Sequence, residues 1–278
     1  RSFLQLSPDF ACVTSMDADH MDIYENTSAI ENTFTAFSEL LPNPENLLVK
    51  KGLPLKGKTI SVSETADFEA KNIRIEKGTY VFDLKTPKVE IKDLRFHLPG
   101  RHNIFNAVTA LGMAILIGTP TDCLPKALFS FKGVKRRFSY KIRNENMVLI
   151  DDYAHHPTEI DALYLAVEEL YPEEEKLIVF QPHLFSRTRD FAKGFAKSLS
   201  RFNEVILLEI YPAREKPIKG ITSQWLLEQI SCENKKIVSK LELAKNIKRS
   251  KSFVKLMVGA GDIGVEVENI TNYLTNEN

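Results

Sequence analysis

Cysteine is nearly missing from this chain. Its three, Cys12, Cys123 and Cys232, are odd in number, widely spaced and in no C-x-x-C pair. That argues against a disulfide framework and a thiolate metal site, and makes a reducing cytoplasm the expected setting. Net charge is missing too. Lys plus Arg equals Asp plus Glu at 37 each, so no global field draws the chain to nucleic acid or an anionic membrane, and any anion must be held by a local constellation. The longest apolar stretch, around Ala107 to Ile117, is too short to span a bilayer, and no signal peptide opens the chain. A phosphate loop of the form G-x-x-x-x-G-K-S/T occurs nowhere. The first residue is Arg1 and not methionine, so the chain reads as a piece of a longer protein or as numbered from an internal residue.

What is present changes character midway. At 278 residues there is room for two domains with separate cores. Ser28 to Leu41 carries apolar residues at Ile30, Phe34, Phe37 and Leu41 and reads as a helix with one buried face. From Leu47 to Leu98, short alternating runs (Thr59 to Val62, Ile73 to Lys77, Tyr80 to Leu84, Val89 to Leu98) are punctuated by Gly57, Gly78 and Pro87, a pattern that predicts antiparallel hairpins. Beyond Gly133, apolar runs at Met147 to Ile150, Lys176 to Phe180, Val205 to Glu209 and Val254 to Val258 read as strands. They alternate with helical patterns at Glu159 to Leu170, Asp190 to Ser200, Ser223 to Ile230, Leu241 to Lys248 and Gly264 to Leu274. Such alternation predicts a doubly wound α/β sheet whose ligand loops lie at the C-terminal ends of its strands. The expected division is 1–133 and 134–278.

Polar clusters fall where that edge should be. D-D-Y-A-H-H-P-T-E, starting at Asp151, puts Asp152, Tyr153, His155 and His156 in one strand-to-helix loop. Q-P-H-L-F-S-R-T-R-D, after Phe180, places His183 near Arg187 and Arg189, and arginines can clamp a carboxylate or phosphate bidentately. Tyr211 to Ile218 and Gly259 to Ile263 follow the other two strands. Earlier, Asp19, His20 and Asp22 follow the β-prone run Phe10 to Thr14 and offer ligands suited to a divalent cation. His102, Asn103 and Asn106 open a helix behind Pro99-Gly100, with donor and acceptor pairs that can read a purine edge. Lys135, Arg136 and Arg137 stand at the domain boundary. Each cluster also has a plainer reading, as helix caps for Asp and Asn and as solvated turns for the cations. Of six histidines, however, only His97 lies outside these loops.

D-D-Y-A-H-H-P-T-E, D-H-M-D-I-Y, G-R-H-N-I-F-N, G-V-K-R-R-F, F-Q-P-H-L-F-S-R-T-R-D, Y-P-A-R-E and G-A-G-D-I resemble the signatures of the Mur ligases over nearly the whole chain. The resemblance implies an α/β architecture: part of the central ATP-binding domain, mixed α/β with an antiparallel β segment, followed by a Rossmann-like, doubly wound C-terminal domain. It implies ATP and magnesium as cofactors. It further implies phosphorylation of the lactyl carboxylate of UDP-N-acetylmuramate, then attack on the acyl phosphate by the amine of L-alanine, in peptidoglycan precursor synthesis. By the same resemblance His102 and Asn106 contact the ATP base while Asn103 fixes the loop. Arg136, with Arg137 as the alternative, reaches the γ-phosphate, and Asp152 binds the ribose. Tyr153, His155, His183, Arg187 and Arg189 serve the acyl phosphate and amino acid, with His155 helping to deprotonate the amine. His20 is carried over as a magnesium ligand.

Two departures stand out. No lysine precedes Lys50, so the carbamylated lysine of several Mur ligases has no counterpart. Leu184 stands where some members carry an arginine, which leaves Arg187 to hold the amino-acid carboxylate. The family's uridine-binding domain and phosphate loop are expected upstream of Arg1, so this chain alone is expected not to hydrolyse ATP. Three alternatives stay open: a recycling ligase that adds a whole tripeptide, a noncatalytic nucleotide-binding module, and a zinc hydrolase built on His155, His156 and His183.

Overall fold

The structure is a computed structural model that describes residues 2–16, 27–76 and 78–275. The chain divides into two compact units, Arg1–Lys132 and Gly133–Asn278. Among the described residues no helix is long and apolar enough to cross a membrane.

In the first unit β1 (Ala11–Val13), β2 (Leu47–Lys50), β3 (Lys58–Ser61), β4 (Phe68–Glu76), β5 (Thr79–Lys85) and β6 (Glu90–Phe96) lie side by side in chain order. The hairpin expectation holds only for the last three strands. β1 to β4 pair in parallel and β4 to β6 antiparallel. Alternation along one strand reports which face is buried and says nothing of which way its neighbour runs, so β2 and β3 were open to misreading. Helix α1 (Thr27–Ser38) precedes β2, and α2 (Arg101–Ile117) and α3 (Leu124–Ser130) follow β6. Ile104, Ala107, Val108 and Leu111 of α2 pack with Phe68, Tyr80, Phe82 and Leu84 of the sheet. A smaller cluster unites Ala11, Val13, Leu47 and Val49 with Phe34 and Phe37 of α1. Because apolar side chains leave both faces of β2, that strand is buried on both.

The second unit is built from β7 (Ser139–Arg143), β8 (Val148–Asp152), α4 (Pro157–Leu170), β9 (Lys176–Phe180), α5 (Phe185–Asp190), α6 (Ala192–Leu199), β10 (Glu204–Leu207), α7 (Ser223–Gln229), β11 (Asn234–Ile237), α8 (Lys240–Arg249), β12 (Val254–Val258) and α9 (Ile263–Thr275). Its strand order is β11-β10-β9-β12-β8-β7, with only β7 antiparallel to its neighbour. Ile178 and Phe180 of β9 join Ile160, Leu163, Phe195 and Leu226 on one face. Leu177 and Val179 join Leu243, Ile247, Val267 and Ile270 on the other. Helices therefore cover both faces, and the central strands read as unbroken apolar runs for that reason. The edge strands β7 and β11, Ser-Tyr-Lys-Ile-Arg and Asn-Lys-Lys-Ile, escaped the sequence reading because one side of each is solvated and charged. From β8 the strands step outward through β9 and β10 to β11; the chain then returns to insert β12 between β8 and β9, placing the reversal of strand order beside β12. A reversal of that kind opens a crevice at the C-terminal ends of the strands.

Candidate active site

Beyond the strand ends of the second sheet the backbone ladder continues into the loops. Gly259 N–H donates to Asp152 O (3.1 Å), Gln181 N–H to Val258 O (3.0 Å), Leu208 N–H to Phe180 O (3.0 Å) and Tyr211 N–H to Pro182 O (2.8 Å). His183 and Tyr211 form a parallel bridge, with Leu184 N–H donating to Tyr211 O (2.9 Å). The loops after β8, β12, β9 and β10 are thus tied into one rim.

Close backbone approach demands small residues there. A Cβ on Gly259 would lie 2.8 Å from Gln181 O, and one on Gly261 would strike the Gln181 side chain and come within 2.8 Å of Tyr211. Gln181, fully buried and absent from the sequence expectations, is the hub of this packing. Its Nε2 donates to Asp262 Oδ1 (2.7 Å) and its Oε1 accepts Ile263 N–H (2.9 Å). A polar amide directly after an apolar strand was the available signal.

The β8 loop sorts its candidates into holders and reachers. Asp152 is buried; Oδ2 accepts Phe138 N–H (2.7 Å) and Oδ1 accepts Ala154 N–H (2.8 Å). Desolvation nevertheless pushes its carboxyl above the ordinary range, against those two bonds. Asp151 is raised in the same way by burial, opposed by Arg136. Arg136 Nε lies 3.1 and 3.3 Å from the two Asp151 oxygens, and its Nη2 donates to Gly259 O (2.7 Å). Arg137 is less constrained. Its nearest carboxylate, Glu159, is 3.6 Å away, and 47% of its side chain is exposed against 22% for Arg136. Both guanidiniums lie over the Tyr153 ring, at 5.2 and 5.8 Å. His156 caps α4, its Nδ1 accepting Thr158 N–H (3.4 Å) while the ring packs edge-on to Phe191.

His155 faces the rim. Its Nδ1 is 2.9 Å from Tyr153 O; a carbonyl only accepts, so Nδ1 carries the proton and a neutral ring keeps its lone pair on Nε2. The His155 and His183 ring centroids are 6.1 Å apart, and Tyr211 stacks on His183 at 5.7 Å. Burial, then Arg187, then His155 push the His183 pKa below the ordinary histidine range. Its Nδ1 is buried with no hydrogen-bond partner among the described residues. Arg187 is half-buried on α5, whereas Arg189 is exposed and bonded to Asp190 (2.7 Å). In the first unit, α2 starts behind Gly100 at φ 93°. Asn103 is buried and donates to Pro99 O (2.7 Å), fastening that turn, while His102 and Asn106 are exposed on the same helix start. Asp19, His20 and Asp22 lie outside the described residues. Among those described, no group of three or more His, Cys, Asp or Glu could hold a metal ion.

One chain thus carries a doubly wound sheet rimmed by paired histidines and arginines and, taken by itself, a mixed-sheet unit whose long helix starts at G-R-H-N. The Mur ligase middle domain matches residues 2–114, and the Mur ligase, glutamate ligase domain matches residues 136–265; the chain belongs to this family. It is 58% identical over 277 residues to a UDP-N-acetylmuramate--L-alanine ligase of Christiangramia forsetii, covering all of this chain and 61% of that relative. The solved UDP-N-acetylmuramate-alanine ligase of Thermotoga maritima superposes with a TM-score of 0.77 at 25% identity, over 99% of this chain and 61% of that one. A second Mur ligase of Thermotoga maritima, solved in complex with ADP, shares the fold with a TM-score of 0.71 at 16% identity, over 98% of this chain and 63% of that one. The chain spans about three fifths of the length of the curated relatives it matches.

Proposed function

We propose that the protein carrying this chain is an ATP-dependent, ADP-forming ligase that joins L-alanine to the lactyl carboxylate of UDP-N-acetylmuramate, in peptidoglycan precursor synthesis in the cytoplasm, where ATP is supplied. The observation that carries the reading is the pairing of His155 with His183 at 6.1 Å, on a rim that also holds Tyr153, Tyr211 and Arg187. A carboxylate is a poor electrophile, so ATP must first convert it to an acyl phosphate, and transfer of the phosphoryl group depends on positioning and charge neutralisation. Arg137, exposed and loosely paired, suits the phosphate better than Arg136, which already holds Asp151 and the Gly259 carbonyl. Arg187 offers the bidentate grip for the amino-acid carboxylate, and Tyr153 and Arg189 are assigned to the same substrates.

The incoming ammonium must lose a proton. With Nδ1 turned to the Tyr153 carbonyl, Nε2 of His155 is the ring nitrogen left to accept it, and His183, whose pKa is lowered by burial and then by Arg187, adds little positive charge against the amine. His102 and Asn106 are assigned to the adenine, with Asn103 holding their turn. Asp152 keeps the ribose assignment through the second lone pairs of its oxygens, since the first are taken by Phe138 and Ala154 N–H. Magnesium would neutralise phosphate charge, with His20 as its assigned ligand.

The test uses the full-length protein with UDP-N-acetylmuramate and ATP, offering alanine or a tripeptide as acceptor. ADP release is expected with alanine, and loss of about 10²-fold or more in turnover with Arg187→Ala. Release with the tripeptide alone would transfer the assignment to the recycling branch. The 278-residue chain without a phosphate loop is expected to release no ADP.

A further inference from the structure

Helix α5 carries Arg187 and follows His183 directly, yet it cannot secure its own beginning. Its N-cap residue, Leu184, has no side-chain acceptor for the free N–H groups and sits at φ 70°, a region that disfavours a branched apolar residue. The acceptors come instead from the loop after β10. Glu215 Oε2 accepts Ser186 N–H (3.0 Å), the Ser186 hydroxyl donates to Glu215 Oε1, and Phe185 N–H adds a further bond to the same carboxylate. Glu215 is itself seated by a turn in which its own N–H donates to Pro212 O (2.9 Å), with Ala213 in the left-handed region at φ 49°. One carboxylate thus fastens the β9 loop to the β10 loop, next to the point where His183 bridges Tyr211.

We infer that Glu215 is a positioning residue for amino-acid recognition: by capping α5 from the neighbouring loop it aims Arg187 and His183 into the acceptor side of the site. The inference rests on the ligase reading above and deepens it. Glu215 touches no reacting atom in this scheme. It acts through the helix start, and its negative charge opposes the pull of Arg187 and His155 on the His183 ring, the other charged or titratable groups that act on that histidine. Burial tends to raise the Glu215 carboxyl, but the bonds from Ser186 and Phe185 outweigh it and hold the group ionised below the ordinary carboxylate range.

The experiment is steady-state kinetics of full-length Glu215→Gln and Ser186→Ala, with the His183 imidazole followed by NMR across pH. Gln keeps the size but turns a donor toward Ser186. For Glu215→Gln we expect the KM for alanine to rise at least tenfold while the KM for ATP stays within twofold, with a smaller rise for Ser186→Ala, which loses one bond of three. The His183 titration should move to lower pH in Glu215→Gln, and this signal does not depend on turnover. An unchanged alanine KM, or an equal loss for all three substrates, would overturn the inference. If the wild-type protein adds no alanine, the function proposal fails and the NMR titration alone decides: a His183 titration indifferent to Glu215→Gln refutes the coupling, and a downward shift upholds it.

Discussion

Five neighbouring strands of the second sheet, β11-β10-β9-β12-β8, run the same way, whereas the first sheet is parallel through β4 and then folds back as the meander β4-β5-β6. The consequence is spatial. Parallel strands deliver every following loop to one edge, so residues as distant as Asp152, His183, Tyr211 and Gly259 are linked by hydrogen bonds within a single rim. Antiparallel strands send successive turns to opposite edges, and in the first unit the described candidates are confined to one helix start, His102 to Asn106. Chemistry that needs many convergent groups is favoured by the first arrangement; one that needs a rigid platform for a single ligand edge is served by the second.

The sharpest way to probe this contrast is to truncate matched core residues. Phe180 and Phe82 are both fully buried, so replacing either with alanine should cost about 3–5 kcal/mol. Phe180 ends β9 directly ahead of Gln181, so in the full-length protein Phe180→Ala should also raise the alanine KM, whereas Phe82→Ala should not. Urea unfolding followed at Trp225, the chain's single tryptophan, reads the Phe180 loss, because Trp225 packs against the same cluster.

Arg136→Ala should come next, at about 3 kcal/mol or more, because it leaves the nearly fully buried Asp151 unpaired. Arg137→Ala should cost under about 1 kcal/mol while reducing turnover. Equal stability losses in the two variants would erase the distinction between holder and reacher.

Gly261→Ala should destabilise by about 1–3 kcal/mol and, by shifting the rim, lower turnover by about 10²-fold. Gly112→Ala on α2 meets only side-chain atoms, Leu48 Cδ1 at 2.9 Å and Phe68 Cδ1 at 3.2 Å, and should affect stability alone.

The smallest effect is expected at Asp262, where burial raises the carboxyl but Lys240 and Gln181 outweigh it and hold it low. A lowered folded-state pKa contributes stability above the unfolded value and loses it as pH falls through the folded value. Asp262→Asn should therefore cost up to about 1 kcal/mol near neutrality, a difference that closes under acid. Urea midpoints from about pH 7 down to about pH 3 would show it, and a gap that widens in acid would contradict the assignment.

Much of this could be read in the linear chain because the central strands of the second unit are buried on both faces. Lys176 to Phe180 and Val254 to Val258 stand out as apolar runs, and the polar residues that follow them mark the rim. β7 and β11 could not be read, since a solvated edge strand needs no apolar pattern, and neither could the direction in which β2 and β3 pair. Roles within the rim were equally hidden. His156 looks as available as His155, yet it caps α4, while Asp152 accepts from two backbone N–H groups and Arg136 is held by the Asp151 carboxylate and the Gly259 carbonyl.

Residue order alone determined where helices and strands alternate, which loops carry histidine and arginine, and which family the chain resembles, because burial periodicity and motif spacing are local properties. Tertiary structure decided the rest: that Glu215 completes α5 across 29 residues of sequence, that Gln181 locks Asp262 and Ile263, and that Arg137 reaches outward while Arg136 is held. The reason is physical. A hydrogen-bonding side chain takes its role from the unsatisfied group that folding brings beside it, and that neighbour is not specified by adjacency in the chain.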